Sequence, residues 1–328
     1  MGNKVLIISF SFEQEPDAFQ ALVNAGLEPV LWANVDRKNA TEDDLVAYYQ
    51  AMPEKPVGIV MGADIEITEK FLSVVENLAV ISLNCAGYDH IDLESCRHHG
   101  IKLVNVPRRN FDAVADLAWG LILSYMRNIP KADRAIRAGQ WAKGVERSMA
   151  VSGKTLGIVG MGAIGQAVAK RAMGFDMNIV AKSGSRKAEL ARKYNLTFLD
   201  DEEFFRTADI IVLCCPNTAE TYHMINSQTL SLMKPTAVLI NPSRGGLVDT
   251  GALVEALKEH RIGGAALDAY EEEPLLESPL FELENILLTP HVGGLADKQI
   301  HDVAVMSAEN CAAVLAGNTQ QLNMIVGD

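Results

Sequence analysis

The sequence lacks the features that mark secreted, membrane and metal-binding proteins. Its 328 residues include five cysteines, an odd number without a C-x-x-C pair, so neither a disulfide framework nor a cysteine metal site is predicted. No apolar run approaches the length of a membrane span, and no secretory leader is recognised before the first apolar segment. We therefore expect free thiols, a cytoplasmic location and no bound metal.

Positive charge is also scarce. Lys and Arg number 29 against 42 Asp and Glu, which gives a formal net charge of −13 at pH 7. This balance argues against nucleic acid or an anionic membrane as a partner, because both repel an acidic protein. It does not exclude a small anionic substrate, since a local cationic pocket can bind one. The length and the ordinary globular composition, with 48% hydrophobic residues, suit two folded domains.

One glycine motif stands between a predicted strand and a predicted helix. An apolar run at residues 155–159 leads into Gly160-x-Gly162-x-x-Gly165, and a helical pattern follows directly. In dinucleotide-binding folds these glycines make a tight turn, leave room for a pyrophosphate and let the helix pack closely on the strand. The N–H groups at the helix start, including those of Ala163 and Ile164, then face the phosphates. The alternative is a glycine turn with a purely structural role. The strand before the motif and the helix after it favour dinucleotide binding.

Apolar strand-like runs alternate with amphipathic helical runs along the chain, which is typical of parallel sheets covered by helices. We predict an α/β protein with a Rossmann-type, doubly wound, parallel nucleotide-binding domain at residues 106–293. A second, flavodoxin-like α/β domain would bind the substrate. This substrate domain is predicted to be discontinuous and to comprise residues 1–105 and 294–328.

Two helix predictions concern the connections between these domains. One long helix is predicted from about Phe111 to Ala138, at the first crossing between the domains. The last residues, from about Gly294, are expected to form one helix that ends near Gly317, with no strand after it. This terminal segment is expected to pack back on the first domain.

The second strand of the nucleotide domain bears on the choice of cofactor. Dinucleotide folds usually place an acidic residue at its end, where it bonds the adenosine ribose hydroxyls. Here no carboxylate follows that strand, whereas Ser183, Ser185, Arg186 and Lys187 could bind a 2′-phosphate. NADP(H) is therefore favoured, with NAD(H) as the other candidate. The competing interpretation is that Arg186 and Lys187 only begin a solvated helix through Tyr194.

Three loops that follow predicted strands carry ionisable side chains beside glycine or proline. Hydride transfer to a 2-keto acid needs a cation for the substrate and an acid that protonates the developing alkoxide. Arg244 suits the first need, because its guanidinium is always charged and binds carboxylates in bidentate fashion. His291 suits the second, and Glu273 is the candidate carboxylate that would hold its tautomer. Asp268 is a candidate to orient the nicotinamide carboxamide.

Each of these residues also has a plain structural explanation when it is taken alone. Arg244 would suit a surface ion pair, Glu273 an acidic loop, and His291 a loop histidine with satisfied hydrogen bonds. Only their grouping at one predicted sheet edge indicates a site.

A further loop follows the fourth predicted strand. The N–H groups of Ala86 and Gly87 could hold a substrate carboxylate there. An ordinary strand-to-helix turn, with Asp92 capping the next helix, explains the same residues equally well.

Taken together, these motifs resemble the D-isomer-specific 2-hydroxyacid dehydrogenases over nearly the whole chain, and the NADP-dependent glyoxylate/hydroxypyruvate reductases most of all. The matching segments are Gly87-Tyr88-Asp89-His90-Ile91-Asp92, the glycine turn, Cys215-Pro216-Asn217-Thr218, Asn241-x-x-Arg244-Gly245, Asp268 with Glu273-Pro274, and Thr289-Pro290-His291. The resemblance implies that Arg244 binds substrate, that His291 is the acid/base and that Glu273 is its partner. It also implies a homodimer, and cofactor contacts from Pro216, Thr221, Asp268, His291 and Gly293.

Some positions depart from the family pattern. Ser183 stands where many relatives have Asp, which agrees with NADP(H). Arg109 and Phe111 also differ from the residues common after the hinge proline, so neither is assigned a role.

The predicted function is D-specific hydride transfer between NADP(H) and a small 2-keto/2-hydroxy acid of the glyoxylate, hydroxypyruvate or 2-ketogluconate type. Phosphite dehydrogenase and 3-phosphoglycerate dehydrogenase are the alternatives among enzymes, while Glu273 counts against formate dehydrogenase. From another class, the fold would also suit a dinucleotide-sensing protein similar to transcriptional corepressors.

Overall fold

The computed structural model describes residues 2–9, 12–32, 40–63, 65–107, 111–141 and 148–327. The chain divides into two compact units. The split unit comprises Met1–Asn110 and Leu295–Asp328, and the central unit comprises Phe111–Gly294. The predicted domain boundaries, after residues 105 and 293, lie within a few residues of these divisions. Arg109 lies outside the described residues.

The described residues of the split unit begin with five strands and four α-helices in alternation. They are β1 (Lys4–Ile8), α1 (Pro16–Asn24), β2 (Glu28–Leu31), α2 (Glu42–Ala51), β3 (Gly58–Met61), α3 (Glu69–Leu72), β4 (Val80–Leu83), α4 (Leu93–His98) and β5 (Lys102–Val104).

The central unit follows with seven α-helices and seven strands among the described residues. They are α5 (Phe111–Met126), α6 (Ile129–Arg137), β6 (Thr155–Val159), α7 (Ala163–Ala172), β7 (Asn178–Lys182), α8 (Ala188–Tyr194), β8 (Leu196–Phe198), α9 (Asp201–Thr207), β9 (Ile210–Leu213), α10 (Ser227–Leu232), β10 (Val238–Asn241), α11 (Thr250–Lys258), β11 (Gly264–Leu267) and β12 (Ile286–Leu288). The chain then returns to the split unit with α12 (Asp297–Leu315) and β13 (Met324–Val326).

The sheet of the split unit has six strands in the order β13-β5-β4-β3-β1-β2. Strands β1 to β5 pair in parallel, in the order typical of flavodoxin-like folds. Alternate side chains of β1 point to opposite faces: Val5 and Ile7 pack towards α1 and α12, and Leu6 packs towards α2 and α3. Both faces of the sheet are therefore covered by helices.

The sheet of the central unit has seven strands in the order β12-β11-β10-β9-β6-β7-β8, and all its pairs are parallel. Leu156 and Ile158 pack towards α5 and α7, whereas Ile211 and Leu239 pack towards α9 and α11. Because neighbouring strands are parallel, their carboxyl ends share one edge, where ligands bind in such sheets. The predicted α/β class, with a Rossmann-type and a flavodoxin-like sheet, is confirmed.

The single helix predicted from Phe111 to Ala138 is wrong. The chain instead forms α5 and α6, which are separated at Asn128, a residue with a left-handed backbone (φ 53°). Pro130 lies in the first turn of α6, where its missing N–H costs nothing, but inside a longer helix it would remove a hydrogen bond.

The prediction that no strand follows the last helix is also wrong. Residues Met324–Val326 form β13, which pairs in antiparallel fashion with β5 and buries Val326 in the core. Three residues are too few to show a strand pattern, so only the pairing partner reveals the strand. Strand β8, which also has three residues, was likewise not predicted from the sequence. Among the described residues, no helix has the length and apolar character needed to cross a membrane.

Candidate active site

The glycine turn joins β6 to α7 in the central unit. Gly160 has a left-handed backbone (φ 91°), and a Cβ there would lie 2.6 Å from the carbonyl oxygen of Cys214. A Cβ on Gly165 would overlap the carbonyl oxygen of Gly160, so close packing of α7 on β6 requires glycine. Both positions are therefore fixed by the backbone, as the motif predicts.

Gly162 differs from the other two glycines because a side chain at this position would point into open space. Nothing lies within 4 Å of where its Cβ would be. Gly162 is also the N-cap residue of α7, and no side chain caps this helix start. The first N–H groups of α7, from Ala163 and Ile164, thus adjoin open space, and the helix start carries a partial positive charge.

The predicted 2′-phosphate loop follows β7. Ser183 is half-buried, while Ser185, Arg186 and Lys187 are exposed. Lys187 is the N-cap residue of α8, so the loop and the start of the helix are continuous. The Arg186 guanidinium makes a contact that sequence reasoning missed, because its Nη2 donates to Asp200 Oδ1 at 2.5 Å.

His291 and Glu273 come together at the carboxyl edge of the central sheet. His291 Nδ1 lies 2.7 Å from Glu273 Oε2, and both side chains are partly exposed. The hydrogen bond to Glu273 raises the pKa of His291, although burial acts in the opposite direction. For Glu273, burial acts to raise the pKa, but the hydrogen bonds from His291 and the Tyr270 N–H outweigh it and lower the pKa. The pair thus favours imidazolium beside carboxylate.

Tyr270 holds this pair in place, a role that sequence reasoning missed. Its N–H donates to Glu273 Oε1 at 2.9 Å. Its hydroxyl is 2.8 Å from the Thr289 carbonyl oxygen and 3.0 Å from that of Leu267, so it can bond either. Burial raises the pKa of Tyr270 to about 12, so the hydroxyl stays protonated and donates. In the sequence, Tyr270 lies between the candidate residues Asp268 and Glu273, and this position could have indicated its role.

Asp268 is fully buried and organises the His291 loop. Its carboxylate accepts hydrogen bonds from Thr289 Oγ1 at 2.6 Å, from the Val292 N–H at 2.9 Å and from the Gly293 N–H at 2.8 Å. These bonds hold His291 in a left-handed conformation (φ 52°) that is rare for a residue with a side chain. The contact of Asp268 with a nicotinamide carboxamide stays a prediction.

Arg244 follows β10 and is half-buried. The buried Asn241 side chain donates to the Arg244 carbonyl oxygen at 2.8 Å, and Arg244 Nη1 donates to the Ser243 carbonyl oxygen at 2.9 Å. The positive charge of Arg244 contributes to the lowered pKa of Glu273 and opposes the raised pKa of His291. Arg244, Glu273 and His291 therefore share one electrostatic environment.

The loop after β9 carries the predicted cofactor contacts Pro216 and Thr221. Thr221 Oγ1 donates to the Pro216 carbonyl oxygen at 2.7 Å and accepts from the Thr218 N–H at 2.8 Å. Further along, His223 Nε2 lies 2.5 Å from Glu271 Oε1. This second histidine–glutamate pair, which sequence reasoning missed, ties the loop after β9 to the loop that bears Glu273.

Ala86 and Gly87 lie in the split unit, in the loop after β4. Their N–H groups make no hydrogen bond to another described residue, and the Ala86 carbonyl oxygen accepts from Asn105 Nδ2 at 2.6 Å. Asp92 caps α4 by accepting from the N–H groups of Glu94 and Ser95. The capped turn is therefore present, and the amides remain available for an anion.

No group of three or more His, Cys, Asp or Glu side chains is placed to hold a metal ion within the part of the chain that the structure describes. Phe111, to which no role was assigned, begins α5 and is half-buried.

Comparison with known proteins gives consistent similarities. Residues 119–293 match the family model described as "D-isomer specific 2-hydroxyacid dehydrogenase, NAD binding domain". A glyoxylate reductase of Pyrococcus horikoshii is 46% identical over 256 residues, which cover 75% of this chain and 74% of that protein.

Solved structures show the same similarity over the full length. A glyoxylate reductase from Paecilomyes thermophila has a TM-score of 0.86 at 26% identity and covers 98% of both chains. A D-lactate dehydrogenase from Aquifex aeolicus, complexed with NAD and lactic acid, has a TM-score of 0.85 at 27% identity and covers 99% of both chains.

Proposed function

We propose that this chain, which belongs to the D-isomer-specific 2-hydroxyacid dehydrogenase family, reduces a small 2-keto acid with NADPH as the hydride donor. The family resemblance indicated by the sequence motifs is confirmed by the family model and by the similarity to glyoxylate reductase. The chain is thus an oxidoreductase that uses a nicotinamide dinucleotide. Glyoxylate, hydroxypyruvate and 2-ketogluconate are the substrates proposed.

The His291–Glu273 hydrogen bond carries this proposal. A bound nicotinamide dinucleotide supplies the hydride, so the chain itself must supply a proton to the oxygen of the reduced carbonyl. Because Nδ1 of His291 faces Glu273, Nε2 is the atom that holds this proton. Glu273 stabilises the protonated ring and keeps it oriented, as a general acid requires.

Substrate binding is assigned to Arg244, Ala86 and Gly87. The Arg244 guanidinium offers paired N–H donors to the carboxylate and carbonyl oxygens of a 2-keto acid. The unbonded N–H groups of Ala86 and Gly87 would bind the carboxylate.

The cofactor proposal is NADP(H), with NAD(H) as the alternative. The glycine turn offers an open space and uncapped N–H groups to the pyrophosphate. The loop after β7 ends in Ser183-Gly184-Ser185-Arg186-Lys187, which provides hydroxyls and cations but no carboxylate of its own. A dianionic 2′-phosphate is favoured by such a loop.

A cytoplasmic homodimer formed through the central unit is proposed as well. None of the residues of α6 is buried, and its Ile129 and Ile136 are about half exposed. Phe281 is likewise exposed, beside Leu280 and Leu283 in a groove between α6 and β12. Apolar surface of this kind is typical of an interface between protein subunits.

The decisive experiment measures initial rates of NADPH and NADH oxidation in parallel, with glyoxylate, hydroxypyruvate and 2-ketogluconate each offered as substrate. We expect turnover with at least one keto acid and a higher kcat/KM for NADPH. Faster turnover with NADH would contradict the cofactor proposal and leave the chemistry intact. If no keto acid is reduced with either cofactor, the substrate proposal is wrong, and phosphite oxidation or dinucleotide sensing becomes the better proposal.

The acid/base role is tested by His291→Ala, which we expect to lower kcat by at least about 100-fold with little change in NADPH binding. His98→Ala is the matched control, because His98 is an exposed histidine in the last turn of α4. Unchanged turnover in His291→Ala would remove His291 from this role.

A further inference from the structure

The Arg186 side chain, which the proposed function assigns to the 2′-phosphate, already binds a carboxylate in the protein. Its Nη2 group donates to Asp200 Oδ1 at 2.5 Å and to the Leu199 carbonyl oxygen at 3.3 Å. Leu199 and Asp200 follow β8, which pairs in parallel with β7, so the two loops meet at neighbouring strand ends. The pair is exposed to solvent, with 50% of the Arg186 side chain and 84% of the Asp200 side chain accessible. Such a pair is weak and readily exchanged.

A second ion pair lies beside the first. Lys182, the last residue of β7, places its Nζ 2.6 Å from Asp201 Oδ1. Lys182 and Arg186, at the end of β7 and in the loop after it, thus pair with two carboxylates at the start of α9. A phosphate that binds Arg186 enters a region where acidic charge already balances much of the basic charge.

Asp200 also lies at the start of α9, where its side chain could accept hydrogen bonds from the helix N–H groups. It is the N-cap residue of α9, yet its side chain makes no capping hydrogen bond. An aspartate at this position ordinarily accepts from the N–H groups of the first helical turn. The Asp200 carboxylate binds Arg186 instead. The Arg186 guanidinium and the N–H groups at the start of α9 therefore compete for this carboxylate.

We propose that Asp200 is a specificity-determining residue that limits the preference for NADPH over NADH. This inference rests on the proposed function, in which the loop after β7 binds the 2′-phosphate. A 2′-phosphate that takes Arg186 deprives Asp200 of its cation and leaves two acidic groups close together. The start of α9 then offers the released carboxylate a new set of donors, which offsets part of the loss. NADH has no 2′-phosphate and leaves the Arg186–Asp200 pair intact.

The test is the dissociation constant of NADPH and of NADH, measured by isothermal titration calorimetry without any keto acid. In Asp200→Asn the side chain keeps its ability to cap α9 but loses its charge. We expect NADPH to bind about 3- to 10-fold more tightly, because one repulsive charge beside the phosphate is removed. The dissociation constant of NADH should change less than about twofold, since no phosphate is present to be repelled.

Glu202→Gln provides the matched control. It removes a carboxylate from the same helix, but Glu202 pairs with Arg206 within α9 and not with the loop after β7. We expect less than about a twofold change for either dinucleotide. Arg186→Ala provides the opposite control and should weaken NADPH binding by at least about tenfold, because a charge-assisted hydrogen bond to phosphate is lost.

The possible results distinguish a failure of the role proposed for Asp200 from a failure of the proposed 2′-phosphate site. If Asp200→Asn leaves NADPH binding unchanged while Arg186→Ala weakens it, the phosphate site stands and the role of Asp200 is wrong. An equal gain in Glu202→Gln would mean a general charge effect and would also overturn the inference. Weaker NADH binding in Asp200→Asn would show that Asp200 holds the ribose hydroxyls. If Arg186→Ala changes neither dissociation constant, the phosphate site and this inference both fail, whatever keto acid is reduced.

Discussion

His291 and Glu273 form the contact on which the proposed proton transfer depends. Their hydrogen bond raises the pKa of His291. The protonated ring therefore persists to higher pH than in a free histidine, because the neighbouring carboxylate stabilises its charge. Keto-acid reduction consumes a proton, so the reactive form is the one that Glu273 favours.

Glu273→Gln should therefore change the pH profile of reduction. In the unaltered protein, we expect kcat/KM to fall as the pH rises through the raised pKa of His291. Without the carboxylate that pKa drops, so the fall should move to lower pH, and the rate near pH 7.5 should decrease about tenfold or more. The adjacent Glu272→Gln serves as control, since the hydrogen bonds and ion pairs of the described residues join His291 to Glu273 and not to Glu272. A profile in Glu273→Gln that coincides with that of the control would contradict this role.

Some residues of the candidate site could be predicted from the sequence and others could not. Arg244, Glu273 and His291 each follow a recognisable apolar strand, so local patterns were enough to group them at one sheet edge. Tyr270 and Asp200 act through contacts with loops that are distant in sequence, including the Thr289 carbonyl oxygen and the Arg186 guanidinium. Such contacts depend on how neighbouring strands pair, and no local pattern encodes that.

At the scale of elements, the loop after β10 packs directly against the backbone of the loop after β11. A Cβ on Gly245 would overlap the carbonyl group of Tyr270 and the N–H of Glu271. The segment that carries Arg244 is thus in contact with the segment that carries Glu273, backbone against backbone. Neither loop can shift alone without opening this contact.

Gly245→Ala should therefore impair the site without altering any ionisable group. The overlap involves backbone atoms, so no rotamer change relieves it, and we expect a loss of about 1–3 kcal/mol in the free energy of unfolding. Displacement of Arg244 relative to Glu273 should lower kcat/KM by about 100-fold. Gly251→Ala is the control, because the nearest atom to its Cβ would be Asp249 Oδ1 at 3.4 Å. Wild-type kinetics in Gly245→Ala would mean that the two loops adjust independently.

Most elements were predictable, including the three-residue strands β5 and β12, whereas β8, β13 and the break between α5 and α6 were not. The helix predicted from Phe111 to Ala138 divides because Asn128 adopts a left-handed backbone and Pro130 suits a helix start. Strand β13 is stabilised by β5, more than 200 residues earlier, and by burial of Val326. Tertiary contacts decide both cases.

At the scale of the whole molecule, exposed apolar side chains on the central unit bear on assembly. The chain is strongly acidic, with a net charge of −13, so two copies repel each other at long range. The proposed homodimer would therefore rest mainly on apolar contact. The surface of α6 offers such contact without a carboxylate in its first turn.

Ile136→Glu should accordingly weaken the proposed homodimer. Light scattering coupled to size exclusion should give twice the chain mass of 35.6 kDa for the unaltered protein. The variant should shift towards 35.6 kDa, because a charge placed in an apolar interface is costly to desolvate. Val23→Glu, on an exposed apolar position of α1, should leave the mass unchanged. A dimeric Ile136→Glu would place the interface elsewhere, and a monomeric unaltered protein would refute the dimer.

The return of the chain to its first sheet has a consequence for biosynthesis. The central unit is continuous, so all its strands leave the ribosome as one block. The split unit cannot be completed then, because α12 covers one face of its sheet and β13 pairs with the edge of β5. Nascent β1 to β5 must wait, with the part of one apolar face that α12 covers still exposed, while every residue of the central unit is translated. This interval is when the growing polypeptide most needs a chaperone.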